Sequence, residues 1–253
     1  MLELYHWEPN AAAARVLITL KEKGLEFESR YVDVLRFEQH EPPFLKLNES
    51  GETPVLVRDG EAFNEASFIC EYLDEAFPGA ALMPSAPYDR WKARTWQKYV
   101  DDHLAAAVSA LAWQAYTGPQ MKDRNAAQAA VALIPARARR DEWTQALDGY
   151  PEDQLAKDRG RVETTVGLLE AELAASDWLA GPAFSLADIA MFAFVNYLPK
   201  LTPELVNPTT APRTVAWLKR VSARPAVQAA LALARTPDPY AVAAPGPEHI
   251  RWG

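Results

Sequence analysis

The feature that most constrains this chain is a proline set directly before a short apolar run that ends in a two-residue turn, Thr53-Pro54-Val55-Leu56-Val57-Arg58-Asp59-Gly60. Pro54 has no backbone N–H, so it stands at a sheet edge or in the turn before a strand. Val55, Leu56 and Val57 have strand character, Asp59-Gly60 is a hairpin turn, and residues 62–64 can return beside the first strand. Phe68, Ile69, Tyr72 and Leu73 then fall on one helical face, and Pro78-Gly79 stops that helix. The stretch therefore reads hairpin, then helix.

Upstream, Leu2-Glu3-Leu4-Tyr5 alternates as a half-buried strand and leads into the loop His6-Trp7-Glu8-Pro9-Asn10. Ala13, Val16, Leu17 and Leu20 repeat at helical spacing, Gly24 ends the helix, and residues 27–34 read as a second strand. Strand, helix, strand, a connection through Pro42-Pro43, then hairpin and helix is the order of a thioredoxin-like α/β domain. Neither GxGxxG nor GxxxxGK[ST] occurs, which argues against a nucleotide-binding loop.

Two prolines among small residues at 82–87 mark the best boundary. They divide the chain into an α/β domain at 1–82, a linker at 83–88 and an all-helical domain at 89–253. Trp96, Val100, Leu104, Ala107 and Leu111 form a stripe that predicts a long helix from about Tyr88 to Tyr116, broken at Gly118-Pro119. Residues 120–150 are charged, alanine-rich and interrupted at Pro135, and Val162, Val166, Leu169 and Leu173 mark another core helix. Phe184-Ser185-Leu186-Ala187-Asp188-Ile189 reads as a capped helix start, with Ser185 as N-cap and Asp188 returning to the cap's own N–H. Pro212 and Pro225 suit the first turns of two later helices. The tail, with Pro237, Pro239, Pro245 and Pro247, reads as an extended strap or as disordered.

Composition excludes several classes. The single cysteine, Cys70, lies on an apolar helix face as a core residue and leaves no disulfide framework and no CxxC motif. A net charge of −8 with scattered cations carries no nucleic-acid footprint. The start has no signal-peptide pattern and no run approaches a membrane span, so a soluble cytoplasmic protein without a metal is expected.

The proline-led hairpin and the Glu65-Ala66-Ser67 helix start resemble the glutathione transferase family, and the Ser185 capping motif is a second, independent match to that family's helical domain. The resemblance implies a cis Thr53-Pro54 bond, with the main chain of Val55 pairing with the cysteinyl backbone of glutathione. It implies Glu65 facing the γ-glutamyl ammonium. The family's usual serine falls on Ala66, so the γ-glutamyl carboxylate is held by Ser67 or by helix N-terminal amides. Gln39 and His40 stand at the glycine end. Read without the resemblance, His40 is a solvated loop histidine.

The family activates the thiol with a tyrosine, serine or cysteine near the first helix, whereas this loop reads Pro9-Asn10-Ala11-Ala12-Ala13-Ala14-Arg15. Ala13 occupies the hydroxyl position. Two accounts stay open: backbone amides of the first helix with the Asn10 side chain as an extra donor, or Tyr5, whose register suits an ordinary strand aromatic better. Asn10 is equally readable as a turn former. Trp113 and Tyr116, with Trp7, are expected to wall a pocket for an apolar aromatic second substrate. Arg137, Arg139 and Arg140 read as an exposed basic face, and His103 beside Asp101 and Asp102 as a solvated one. His6 and His249 carry no signal.

A closer resemblance runs through both halves. Glu22-Lys23-Gly24-Leu25-Glu26-Phe27-Glu28, Phe37-Glu38-Gln39-His40, Ile69-Cys70-Glu71-Tyr72-Leu73, Ser109 with Trp113, and Ala223-Arg224-Pro225-Ala226-Val227 look like the bacterial lignin β-aryl etherases. That implies glutathione-dependent cleavage of an aryl ether next to a carbonyl, with a phenol leaving. It also implies a dimer, of like or unlike chains. Transfer to other electrophiles, or a non-catalytic glutathione-binding subunit, are the alternatives.

Overall fold

The structure, a computed structural model, describes residues 1–245. Pro247 and His249 lie outside the described residues. Strand β1 (Leu2–His6) leads to helix α1 (Ala11–Glu22), then to β2 (Glu28–Tyr31), short α2 (Pro42–Leu45), the hairpin β3 (Val55–Arg58) and β4 (Glu61–Phe63), and helix α3 (Ala66–Ala76). The sheet order is β2-β1-β3-β4, with β1 parallel to β2 and antiparallel to β3. This is the thioredoxin-like arrangement expected from the sequence, and Thr53-Pro54 is cis. The second strand is shorter than the predicted 27–34 because Val32, with Phe44, Val55 and Val57, turns into a small apolar cluster on the sheet's far face.

All remaining elements are helical. Helices α4 (Pro87–Tyr99) and α5 (Ala105–Ala112) are parts of one rod, joined by a π-turn at Val100–Leu104 and extended by another at Trp113–Thr117. The rod spans the predicted helix, but the sequence pattern carried no sign of the two π-turns. Residues 120–150 resolve into α6 (Arg124–Ala132) and α7 (Arg137–Asp148), which pack on each other through Ala127, Val131, Trp143 and Leu147. Then follow α8 (Glu152–Glu172), α9 (Leu186–Val195), α10 (Leu198–Leu201), α11 (Pro212–Ser222) and α12 (Pro225–Leu231). Pro212 and Pro225 both sit in first turns, as read from the sequence.

Helix α9 is the central pillar, buried from Leu186 through Val195, and an apolar helix on all sides must be surrounded. Its start is the predicted capping box: Ser185 N–H donates to Asp188 Oδ2, and Ala187 N–H donates to Ser185 Oγ. Asp188 also accepts from Leu179 N–H and from Trp217 Nε1–H, so one carboxylate ties α9 to the preceding loop and to α11. Burial pushes its pKa up to about 6.

The α/β half leans on this pillar through α1, which packs on α3 on one side and on α9 and α12 on the other. Charged pairs cross the seam: Arg224 bonds Glu22 through two parallel contacts of 2.6 and 2.7 Å, and Arg15 reaches Asp101, while Lys23, bonded to Asp74 and the Ala80 carbonyl, ties α1 to α3 within the α/β half.

Candidate functional site

A cavity of about 800 Å³ opens along the seam between the two halves. That volume suits a small-molecule site. Its floor is the first turn of α1, Ala11 to Ala13, none of which carries a reactive group. Helix start geometry still makes this a polar surface, because first-turn N–H groups have no intrahelical acceptor and carry the positive end of the helix dipole. Two non-glycine residues with positive φ flank the cavity, Ala11 at 42° and Glu65 at 66°. Backbone strain of this kind clusters at functional sites.

One end is ionic. Arg15 is 3% exposed, and its guanidinium donates to Asp101 Oδ1 at 2.5 Å and to Ser67 Oγ at 2.6 Å, while Ser67 donates to Asp101 Oδ2 at 2.5 Å. The π-turn at Val100–Leu104 sets Asp101 over α1 and α3 here. Insertion of a residue into a helix in this way is common at functional positions. Glu65 precedes α3 in the same wall, and burial, then the neighbouring Asp101 charge, raise its pKa. Asp101 stays on the exposed face read for it with Asp102 and His103, its side chain 42% exposed, but its carboxylate is bound to Arg15 and Ser67, whereas Asp102 pairs with Lys98. Sequence reading missed Arg15 as well. The available signal was a cation inside a wholly buried helical run, which demands a partner.

The opposite wall is formed by Gln39, Asn48, Gly51, Glu52, Thr53 and Pro54. Gln39 Nε2 donates to the Val34 carbonyl at 3.2 Å. Arg139 reaches this wall from α7, only 6% exposed, and pairs with Glu142 and with Glu52 at 3.6 Å. The expected exposed basic face is thus corrected for Arg139, because α7 folds back onto the α/β half. His40 does not line the cavity. Its ring packs under Gly51, where a Cβ would come within 2.3 Å of Nδ1, and burial, aided by the Arg139 charge, lowers its pKa to about 4. Neither ring nitrogen has a hydrogen-bond partner among the described residues. It is a half-buried, packed histidine held largely neutral at pH 7, outside the cavity lining.

The third side is apolar, with Trp7, Phe194, Tyr197, Ala243 and Ala244. Trp7 is a wall, as expected from the sequence. Trp113 and Tyr116 are not. Trp113 is 1% exposed, stacks edge-on against Trp143 at 5.6 Å and donates to the Ala146 carbonyl, so the α6–α7 pair covers it. Tyr116 lies beneath Lys200 at 5.5 Å, outside the cavity lining. Phe194 and Tyr197 take their place, brought in by the end of α9.

Asn10 lines the cavity, but both amide hydrogens are engaged: Nδ2 donates to the carbonyls of Pro239 at 2.5 Å and Val242 at 3.2 Å. The expectation of a free amide donor beside α1 is corrected accordingly. Tyr5 packs edge-on against Phe44 on the sheet's far face and does not reach the cavity, as its register implied. Cys70 is buried, with burial pushing its thiol up to about 11. His6 is buried between Ser29 and the Trp7 carbonyl. No His, Cys, Asp and Glu group with metal-holding geometry occurs among the described residues, and no helix there is long and apolar enough to cross a membrane.

Comparison with known proteins follows the same division. Residues 11–76 match the family profile of the glutathione S-transferase N-terminal domain, and residues 104–225 that of its C-terminal domain. The chain is 36% identical over 235 residues to protein LigF of Sphingobium sp., covering 90% of this chain and 91% of that protein. The crystal structure of the beta-etherase LigF superposes with a TM-score of 0.85 over 91% of this chain and 98% of that one. Glutathione S-transferase 3 of Zea mays is 31% identical, covering 94% of this chain and 96% of the maize protein. A glutathione transferase family member from Pseudomonas fluorescens, solved with two glutathiones bound, shares the fold with a TM-score of 0.70 at 21% identity, over 91% of this chain and 92% of that one.

Proposed function

The chain belongs to the glutathione transferase family, and from that premise we propose that it uses glutathione to cleave β-aryl ethers of aromatic ketones. The observation that carries the substrate class is the likeness to the beta-etherase LigF along nearly the whole of both chains. The apolar side of the cavity, with Trp7, Phe194 and Tyr197, is consistent with an aromatic guest.

In this reading glutathione lies along the seam. Glu65 and Asp101 face its γ-glutamyl ammonium, and the α3 N-terminus takes the γ-glutamyl carboxylate, with Ser67 held in the Arg15–Asp101 network beside it. The cysteinyl backbone pairs with Val55. Val55 is fully buried and stands outside the cavity lining, next to Thr53 and Pro54 within it, and strand β4 pairs only from Leu56 onward, so β4 does not occupy the outer edge of Val55. Gln39 stands at the glycyl end.

The thiol then meets the first turn of α1 at Ala11 to Ala13. Backbone amides and the helix dipole stabilise an anion there by at most ~2 kcal/mol, which lowers a thiol from about 8.5 to about 7. A side-chain hydroxyl is not needed for that gain. The thiolate attacks the carbon bearing the ether oxygen, which the adjacent carbonyl activates. A C–S bond forms, the C–O bond breaks, and the phenolate leaves and takes the proton lost by the thiol. Positioning supplies most of the acceleration when the carbon is already activated.

We further propose a dimer of two copies paired through the exposed face of α3 and α4, where Phe68, Tyr88 and Trp91 stand out at 71%, 69% and 59% exposure.

The substrate test is release of the phenol from a β-aryl ether ketone model compound by the purified protein and glutathione. Glutathione-dependent release is expected. Intact glutathione binding without release moves the reading to transfer onto another electrophile, or to a binding subunit.

A further inference from the structure

The C-terminal strap is tied to the first loop by side chains that no thiol-activating role explains. Glu8 is fully buried. Its Oε2 accepts from Arg235 N–H at 3.1 Å, Thr236 N–H at 3.4 Å and Thr236 Oγ at 3.2 Å, while Oε1 accepts from the Tyr31 hydroxyl at 2.7 Å. Arg235 closes over the Tyr31 ring at 3.9 Å. Two residues on, Asn10 donates to Pro239 and Val242. From the helical half, Tyr197 donates to the Val242 carbonyl at 3.2 Å, and Thr117 Oγ accepts from Ala243 N–H at 2.8 Å. Tyr240 is buried against Tyr197 at 4.8 Å between ring centres. Beyond these ties, Ala243, Ala244 and Pro245 line the cavity beside Phe194 and Tyr197.

We propose that residues 235–245 form the specificity-determining wall of the electrophile end, and that Glu8 and Asn10 are positioning residues for that wall. Asn10 cannot add a bond to a thiolate while both its amide hydrogens serve the strap, and its remaining oxygen would repel an anion. An ionised carboxylate is acceptor-only and costly to bury unsatisfied, so Glu8 keeps the strap seated whether or not a ligand is present. The polar side chains of the loop that abuts the thiol are therefore committed to the wall facing it. A large aryl ether must be accepted against residues 243–245, whereas a small alkylating agent is not in contact with them.

This inference rests on the glutathione reading, and its test separates the two. In the full chain, Asn10→Ala and Glu8→Ala are expected to lower hydrogen-exchange protection of the Arg235, Thr236 and Ala243 amides by at least about fivefold, the equivalent of one lost hydrogen bond of average strength. Unchanged protection overturns the anchoring role even if glutathione proves not to bind. With glutathione bound, Asn10→Ala is expected to leave the thiol's titration midpoint in place. It is also expected to lower the ratio of kcat/KM for an aryl ether ketone to that for a small alkyl halide by about fivefold or more, on the scale of lost pocket contacts. A midpoint that rises, with both electrophiles slowed equally, makes Asn10 a thiol donor and overturns the proposal. Ala244→Trp, outside the anchoring set, is expected to raise KM for the aryl ether with glutathione affinity held, and equal effects on both electrophiles overturn the wall.

Discussion

His40 and Asp188 carry burial-driven shifts of opposite consequence. The folded pKa of His40 is about 4, below the ordinary 6.5, so the unfolded chain binds the extra proton between these values and stability is lost as pH falls from 6.5 toward 4. Asp188 is raised to about 6 from 3.8, so the folded chain holds the extra proton and stability is lost as pH rises through that window. The two oppose each other between about pH 4 and 6. Replacing His40 with Gln is expected to remove the acid-sensitive half, so the melting temperature of the variant relative to the parent improves as pH falls from 7 to 4.5. Parallel melting curves for the two proteins across that range would sink the assignment. Neither shift was legible in the sequence. His40 read as a ligand or a solvated loop residue because nothing local says that Gly51 and Arg139 will close over it. At the same scale Arg15 was readable in principle, as a lone cation in a buried helical run, but its partners Asp101 and Ser67 come from elements 86 and 52 residues away.

Elements with strong local signals stood where the sequence indicated. The hairpin and α3 follow from turn chemistry and apolar spacing, and the start of α9 from Ser185 and Asp188, since a cap is a contact over three residues. What was invisible is how much the Asp188 cap does beyond its own helix. Ser185→Ala removes one cap acceptor and is expected to cost about 1 kcal/mol. Asp188→Ala leaves the donors on Ser185, Leu179 and Trp217 without an acceptor and is expected to cost about 3 kcal/mol or more in urea unfolding. Equal losses for the two variants would reduce Asp188 to an ordinary cap. The π-turn that aims Asp101 lies on the opposite side of legibility. Its residues have unremarkable helical propensity, and the turn packs on α8 and α9, which nothing written in Val100 to Leu104 announces.

At the scale of the whole molecule, the cavity exists only because two halves meet. The seam is held by α1 against α9 and α12, by the Arg224–Glu22 and Arg15–Asp101 pairs, and by the strap. Arg139 joins from the far side, so α6 and α7, the least readable part of the sequence, cover Trp113 and complete one wall. The proposed pairing of two copies belongs to this scale too. Trp91→Arg, on the exposed α4 face, is expected to convert a dimer to a species of monomer mass in light scattering. A mass unchanged by that charge would move the interface elsewhere.

The sequence by itself determined the α/β-then-α order, the helix stops and caps and the core role of Cys70, because each is written in spacings of a few residues, whereas the places of Thr53, Pro54, Glu65 and Ser67 at a site were implied by the resemblance to the family and not by spacing. Tertiary structure alone decided what Asn10, His40, Trp113 and Tyr116 do. Each has a side chain that suits either a site or a core, and the choice rests on partners from distant elements: the strap for Asn10, Gly51 and Arg139 for His40, α7 for Trp113 and Lys200 for Tyr116. Local pattern fixes which face a residue occupies, but burial and hydrogen-bond satisfaction are settled by whatever the rest of the chain brings against that face.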